Sequence, residues 1–97
     1  MNPIIHQATR LKIMASLNRL APEAALEFTK LRGILETTDG NLGTHLDALE
    51  KAGYIEVDKR FEDRKPRTRV KVTASGRRAF AEHVAYLREI IDLGDGT

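Results

Sequence analysis

Three leucines and a glycine in the middle of the chain do most to limit the fold. Leu42, Leu46 and Leu49 recur at spacings of four and three, which places them on one face of a helix. Gly53 follows where a helix ends in a left-handed residue, a conformation that costs glycine little because it lacks a Cβ. The pattern therefore predicts a helix over 41–52 with one apolar face. Its opposite face is small, polar and weakly cationic.

The segment after this helix predicts a two-stranded hairpin. Residues 54–61 are rich in strand-forming side chains, and 67–72 alternate like a half-exposed strand, with a charged loop over 62–66. Segment 59–71 holds seven Lys and Arg against two acidic residues, a net charge of +5 in a chain whose total is +2. A solvated hairpin is one interpretation. Its position directly after the helix favours a surface for a polyanion.

Further helices are predicted on both sides of this unit. An N-terminal helix is expected over about 3–20 and a C-terminal helix over about 74–92, the latter capped by Thr73. Between them, a short strand over 26–28 precedes a helix of about eight residues capped by Thr29. The side chains that this short helix is expected to turn inward are Leu31, Ile34 and Leu35.

The turn into helix 41–52 is expected over 37–40, with Thr38 or Asp39 as the helix cap. A helix, a turn of three to four residues and a second helix make a helix-turn-helix. The predicted fold class is α+β, mostly α: a winged helix-turn-helix with a three-helix core, a small antiparallel sheet with a β-hairpin wing, and a long C-terminal helix. At 97 residues, the chain is expected to form one domain over 1–97.

Composition argues against several other classes of protein. The chain has no cysteine and no apolar run long enough to span a bilayer, and its start lacks a signal-peptide pattern, so we expect a cytoplasmic protein without membrane partners. The histidines His6, His45 and His83 fall on three different predicted helices with no ligand spacing, so no metal is expected. No phosphate-binding glycine loop or nucleophile elbow is present, so neither a cofactor nor enzymatic activity is expected.

The stretches LEKAGYI at 49–55 and VTASGR at 72–77 resemble winged-helix transcriptional regulators of the MarR and ArsR group, above all their short single-domain members. The resemblance covers nearly the whole chain and implies a dimeric regulator of transcription that binds double-stranded DNA. Longer members carry extra helices that enclose an effector, and metal-sensing relatives use cysteine or clustered histidine. This chain has neither feature.

The expected DNA contacts lie on the recognition helix and on the wing. On the helix they are Asn41, Thr44, His45, Ala48 and Lys51. On the wing they are Arg60, Arg64, Lys65, Arg67 and Arg69. Two of the helix residues have an alternative interpretation, because Asn41 could simply cap the helix and His45 could lie at the edge of the core.

Both terminal helices carry more apolar surface than a domain of this size can cover, which favours a homodimer. The expected interface residues are Ile4, Ile5, Leu11, Phe80, Val84, Leu87 and Ile91. In the alternative arrangement, the final helix completes the core of its own domain. The expected function is sequence-specific DNA binding and repression. Two alternatives stay open: a winged helix that contacts proteins rather than DNA, and a regulator whose dimer cleft binds an unidentified small-molecule effector.

Overall fold

Four helices pack with a three-stranded antiparallel sheet in the computed structural model, which describes residues 1–95. The elements are α1 (Ala8–Asn18), β1 (Leu26–Glu27), α2 (Phe28–Leu35), α3 (Asp39–Lys51), β2 (Ile55–Glu62), β3 (Lys65–Val72) and α4 (Ala74–Asp95). The strand order is β1-β3-β2. The predicted mostly helical winged helix-turn-helix is confirmed. The last two residues of the domain predicted for 1–97 lie outside the described residues.

The core forms where α1, α2 and α3 meet one face of the sheet. Its buried apolar side chains are Ile5, Ile13, Met14, Leu17, Leu31, Leu42, Leu46, Leu49, Ile55, Val70 and Val72. All three leucines of the predicted α3 face belong to this set, so α3 is held against the core along its length. Its opposite face is left for solvent.

The turn between α2 and α3 is fixed by local hydrogen bonds. Thr38 caps α3, and its side-chain oxygen accepts from the Asn41 backbone N–H at 3.1 Å. Glu36 ends α2 in the left-handed conformation at φ 51°. The Arg32 guanidinium also pairs with the Asp39 carboxylate across the turn. These contacts set the angle between the two helices.

A second set of contacts joins the end of α3, the base of the hairpin and the start of α4. The Thr73 hydroxyl donates to the Gly53 carbonyl at 2.7 Å and accepts from the Gly76 N–H at 2.9 Å. The Thr73 N–H donates to the Tyr54 carbonyl at 3.0 Å. We call these four residues the Thr73 joint. They confirm two predictions, the Thr73 cap and a left-handed Gly53, whose φ is 80°.

The N-terminal helix is shorter than predicted. It begins at Ala8 rather than near residue 3 and ends at Asn18. The Asn2 side-chain oxygen accepts from the N–H groups of Ile4 and Ile5 at 2.9 and 3.1 Å and so caps a turn at residues 3–5, which the extended backbone of Gln7 separates from α1. Gln7 then caps α1.

Three local expectations were wrong in α2 and in the hairpin. The chain passes directly from β1 into α2, so the N-cap is Glu27 rather than Thr29. Ile34 points outward and is 51% exposed. The hairpin loop is two residues long rather than five, because the strands continue to Glu62 and Lys65. Asp63 and Arg64 both take positive φ, at 49° and 64°, as a two-residue hairpin turn with the favoured twist requires.

Gly76 tests the Thr73 joint. A Cβ at this position would lie 2.1 Å from the Tyr54 carbonyl oxygen, which is part of the backbone and has little room to move. We expect Gly76→Ala to lower the free energy of unfolding by about 1–3 kcal/mol or more, the usual cost of forced overpacking. The measurement is chemical denaturation followed by circular dichroism.

Gly33→Ala is the matched control, because a Cβ there meets no atom within 4 Å. Gly33 lies inside α2, where alanine is the better helix former by up to about 1 kcal/mol. The two substitutions should therefore change stability in opposite directions. Equal stability of the Gly76→Ala variant and the wild type would contradict the assigned close approach.

Candidate nucleic-acid interface

The free face of α3 carries most of the predicted recognition residues. Asn41, Thr44 and Lys51 are exposed and Ala48 is half-buried, all on the side of the helix away from its three buried leucines. At the centre of this face the side chains, Thr44 and Ala48, are small. A helix with such a face can lie deep in the major groove, which is wide enough to admit it.

Two of these side chains already make hydrogen bonds within the helix-turn-helix. The Asn41 amide nitrogen donates to the Thr37 hydroxyl at 2.7 Å. The Thr44 hydroxyl donates to the Gly40 carbonyl at 3.0 Å. Asn41 is thus part of the hydrogen-bonded cap at the start of α3, the alternative role that the sequence allowed it. Because the Thr44 hydroxyl hydrogen is already used in this bond, Thr44 would contact a base through its oxygen lone pairs or its methyl group.

His45 lies at the edge of the core, between α3 and α1. It is half-buried, and its Nδ1 accepts from the Arg10 Nε at 3.1 Å. Burial and the neighbouring Arg10 charge both lower the pKa of His45 below its ordinary value, with burial the larger cause. His45 therefore lies at the edge of the core, which was the alternative position allowed by the sequence. Its role as a DNA contact stays a prediction.

Most cations on the outer face of the wing are paired. Arg60 lies 2.6 Å from Asp58, Arg67 lies 3.3 Å from Glu27, and Arg69 lies 3.6 Å from Glu62. These pairs are partly exposed, and such pairs each contribute only about 0–1 kcal/mol. They stiffen the sheet but lower the positive potential of its middle.

Three cations of the wing stand outside these ion pairs, two at the tip of the hairpin and one in the cleft beside α3. Within residues 1–95, Arg64, Lys65 and Lys59 form no ion pair, and all three are exposed. Cations without protein partners are the ones most available to phosphates. We expect the tip cations to make the strongest phosphate contacts, and the DNA contacts predicted for the wing stay predictions.

Two further residues line the cleft between α3 and the hairpin: Asp47, which sequence reasoning missed, and Lys59, which it counted in the basic segment without selecting it as a DNA contact. Asp47 and Lys59 face each other across this cleft, together with Gly43 and Thr68. Asp47 shares the exposed side of α3 with Thr44, and its carboxylate could accept a hydrogen bond from a cytosine amino group. Helical spacing alone would have placed Asp47 there. The strand register adds that Lys59 lies on the face of the hairpin that turns toward α3.

A separate cleft of about 400 Å³ lies between the N-terminal turn and α4. Tyr54, His83, Tyr86 and the Asn2 side chain line it. His83 is 2% exposed, its Nδ1 faces the Asn2 N–H at 3.4 Å, and its buried Nε2 has no hydrogen-bond partner among the described residues. Burial is the main reason that its pKa is lowered. The His6 ring stands edge-on at 5.4 Å, a proximity that the predicted separate helices did not anticipate.

The distal half of α4 carries apolar side chains that its own chain does not cover. Ile90, Ile91 and Leu93 are 46%, 62% and 76% exposed, and Val84 and Leu87 are half-buried. At 1.5 Å per residue the 22-residue helix is about 33 Å long, more than the three-helix core can cover.

The predicted dimer residues near the N-terminus are placed differently. Ile5 is fully buried in the core of its own chain, so including it in an interface was wrong. Ile4, Leu11 and Phe80 are half-buried and pack against that core.

A free polar face on the second helix of a helix-turn-helix, beside a basic hairpin, defines a winged helix DNA-binding protein. Residues 9–91 match the family described as the winged helix DNA-binding domain, so the chain belongs to that family. Among curated proteins, it is 38% identical over 90 residues to an uncharacterized protein of Methanocaldococcus jannaschii, covering 93% of this chain and 91% of that one.

Two solved structures show the same fold. A transcriptional regulator homologue from Pyrococcus horikoshii has a TM-score of 0.85 and 32% identity, with 95% of this chain and 88% of that chain covered. NadR in complex with 4-hydroxyphenylacetate has a TM-score of 0.69 and 26% identity, with 97% and 67% covered. The predicted resemblance to MarR-like winged helix-turn-helix regulators is confirmed, and the protein is by class a DNA-binding regulator of transcription.

Two structural features are absent from residues 1–95. No helix in that range is long and apolar enough to cross a membrane. Nor does that part of the chain bring together three side chains of the types that hold a metal ion.

Proposed function

We propose that this protein is a sequence-specific repressor that binds double-stranded DNA as a homodimer. The observation that carries the proposal is the free face of α3 beside the unpaired cations of the wing tip. With α3 in the major groove, the hairpin reaches the phosphates and the adjacent minor groove. A dimer seated on its site would exclude other proteins from that DNA, which is why we expect repression.

Affinity and sequence preference come from different parts of this surface. Arg64, Lys65 and Lys59 neutralise phosphates and release counterions, a contribution that does not depend on sequence but falls steeply with salt. Side chains of α3 reach base edges and distinguish one sequence from another. The rival class, a winged helix that contacts proteins, has no need for either property.

Two variants separate these contributions in a selection from random duplexes. Arg64→Ala with Lys65→Ala should keep the wild-type consensus, weaken binding to every duplex, and reduce the slope of log K against log salt by about 0.9 for each phosphate that is no longer neutralised. Thr44→Ala should keep the salt slope and change preference at one or two positions, at about 1–3 kcal/mol for each well-formed base contact that it removes.

Lys12→Ala with Arg19→Ala is the matched control, since it removes two exposed charges from the region of α1. It should leave both the slope and the consensus nearly unchanged. A wild-type protein that selects no consensus and shows no salt dependence would reject the proposed function in favour of a protein-binding role.

The dimer proposal rests on the uncovered apolar surface of α4. Soluble monomers seldom leave a large contiguous apolar patch exposed, and a two-fold interface is the common way to cover one. The three-helix core already accounts for Ile4, Leu11 and Phe80. We therefore expect the interface to centre on Val84, Leu87 and Ile91, joined by Ile90 and Leu93.

Ile91→Asp tests this interface without disturbing the fold, because Ile91 is 62% exposed in the single chain. A carboxylate buried in an apolar interface without a partner is strongly disfavoured. We expect sedimentation to change from dimer to a 10.9 kDa monomer, with loss of tight DNA binding. Ala85→Asp adds the same charge at an exposed site on another side of α4 and should remain dimeric. A monomeric wild type at micromolar concentration would end the dimer proposal.

A small-molecule effector is a second candidate function, favoured by the cleft beside α4. The cleft offers aromatic rings and the buried His83 Nε2, which has no hydrogen-bond partner among the described residues, and the similar NadR structure holds 4-hydroxyphenylacetate. A ligand that binds only the folded state raises its stability by mass action. We expect 4-hydroxyphenylacetate, used as a probe at millimolar concentration, to raise the melting temperature of the wild type and not of Tyr86→Ala. No shift with this and related aromatic acids would argue against the effector site.

A further inference from the structure

Phe61 is exposed on the wing in a way that the phosphate contacts do not explain. The chain has three Phe and two Tyr. All five lie in the described residues, and Phe61 is the one classed as exposed, at 75%, while the other four are half-buried. Water solvates an aromatic ring poorly. Burial of this ring against a binding partner would therefore be favourable.

The strand register shows which side of the wing this ring occupies. Phe61 pairs directly with Pro66 across the hairpin, so the two side chains share one face. Alternation along the strands gives that face to Ile55 and Val57 as well, the residues that pack toward the core. The pair is therefore the outer end of the face that turns toward α3, beyond the cleft of Lys59 and Thr68. The paired arginines occupy the other face.

The surroundings of this apolar pair match a polyanion. Arg64 and Lys65 form the tip next to it, and neither has an ion-pair partner within residues 1–95. A protein partner for Phe61 would have to bury these cations beside it, at a high desolvation cost unless it were itself strongly acidic. Duplex DNA meets both demands, because phosphates line the edges of a groove whose floor is stacked bases.

We propose that Phe61 and Pro66 form an apolar wedge that enters the minor groove beside the α3 site and partly unstacks one base step. This inference rests on the proposed DNA binding and adds to it a second source of sequence preference. Unstacking is easiest at pyrimidine–purine steps, so the wedge reads deformability rather than base edges. The protein would then prefer a flexible step at a fixed distance from the bases contacted by α3.

The absence of tryptophan from the chain allows a direct test. Phe61→Trp places the chain's single tryptophan at the wedge, where its emission can be excited selectively over that of the two tyrosines, and Glu62→Trp places one on the opposite face of the same strand. On titration with the duplex that the wild type selects, we expect Trp at 61 to be strongly quenched by stacking on bases. Trp at 62 should be much less affected.

The DNA side is tested with 2-aminopurine placed at each step of the same duplex, since its fluorescence rises when it unstacks. Wild-type protein should raise the signal at one step, Phe61→Leu should raise it less, and Phe61→Ala should not raise it. Phe61→Ala should also bind at least about fivefold more weakly, because less apolar surface is buried, and should lose the preference for a pyrimidine–purine step. Its salt slope should stay at the wild-type value, because no cation is removed.

The outcomes separate this inference from the proposed function. If the wild type binds no duplex, DNA binding itself fails and the wedge with it. If the wild type binds with a normal salt slope while Phe61→Ala binds equally well and no step unstacks, only the wedge is overturned. If Phe61→Ala alters sedimentation and leaves DNA affinity unchanged, the wedge is likewise overturned, and Phe61 belongs to a contact between copies of the chain.

Discussion

The arrangement of the candidate DNA-binding surface depends on the close contact between Gly76 and the Tyr54 carbonyl. This contact lets α4 start directly against the end of α3, and Thr73 ties the same point to Gly53 by a hydrogen bond. The Thr73 joint therefore fixes the relative orientation of three elements: the recognition helix, the wing and the terminal helix. A side chain at residue 76 would separate them. The lack of a side chain at Gly76 thus determines how α3, the hairpin and α4 are oriented to one another.

The cations of the wing fall into two groups: those in ion pairs, which stiffen the sheet, and those at the tip and in the cleft beside α3, which we propose bind phosphates. The pairs along the outer face, such as Arg67 with Glu27 and Lys71 with Glu23 at 2.8 Å, connect the hairpin to β1 and the loop before it. Each pair is weak in solvent, but these two cross between segments that are distant in the chain, whereas Arg60 and Asp58 pair within β2. At the tip, Arg64 and Lys65 have no ion-pair partner among residues 1–95. A net charge of +5 read from the sequence describes both groups together and cannot tell them apart, because pairing depends on the strand register.

Short-range rules predicted most of the fold, and long-range contacts account for what they missed. The leucine face of α3, the Thr38 and Thr73 caps and left-handed Gly53 are each decided within a few residues. The break after the N-terminal turn was missed because both sides of it are capped: Asn2 caps the turn at 3–5, and Gln7, whose backbone is extended, starts a new helix. Other misses arose between distant segments, such as the burial of Ile5 and the meeting of residues 6 and 83.

The same division explains why the candidate site could be only partly predicted. Helical periodicity is enough to list the outward residues of α3, and by itself would have included Asp47. It does not show that the Asn41 amide is engaged by Thr37 or that His45 accepts from Arg10, since both depend on side-chain conformation and packing. On the wing, alternation orders the residues into two faces, but the length of the turn decides which cations stand at the tip. With only Asp63 and Arg64 in the turn, Phe61 and Pro66 become direct partners. A five-residue loop would have left them unpaired, so one detail of backbone geometry creates the apolar surface on which the wedge depends.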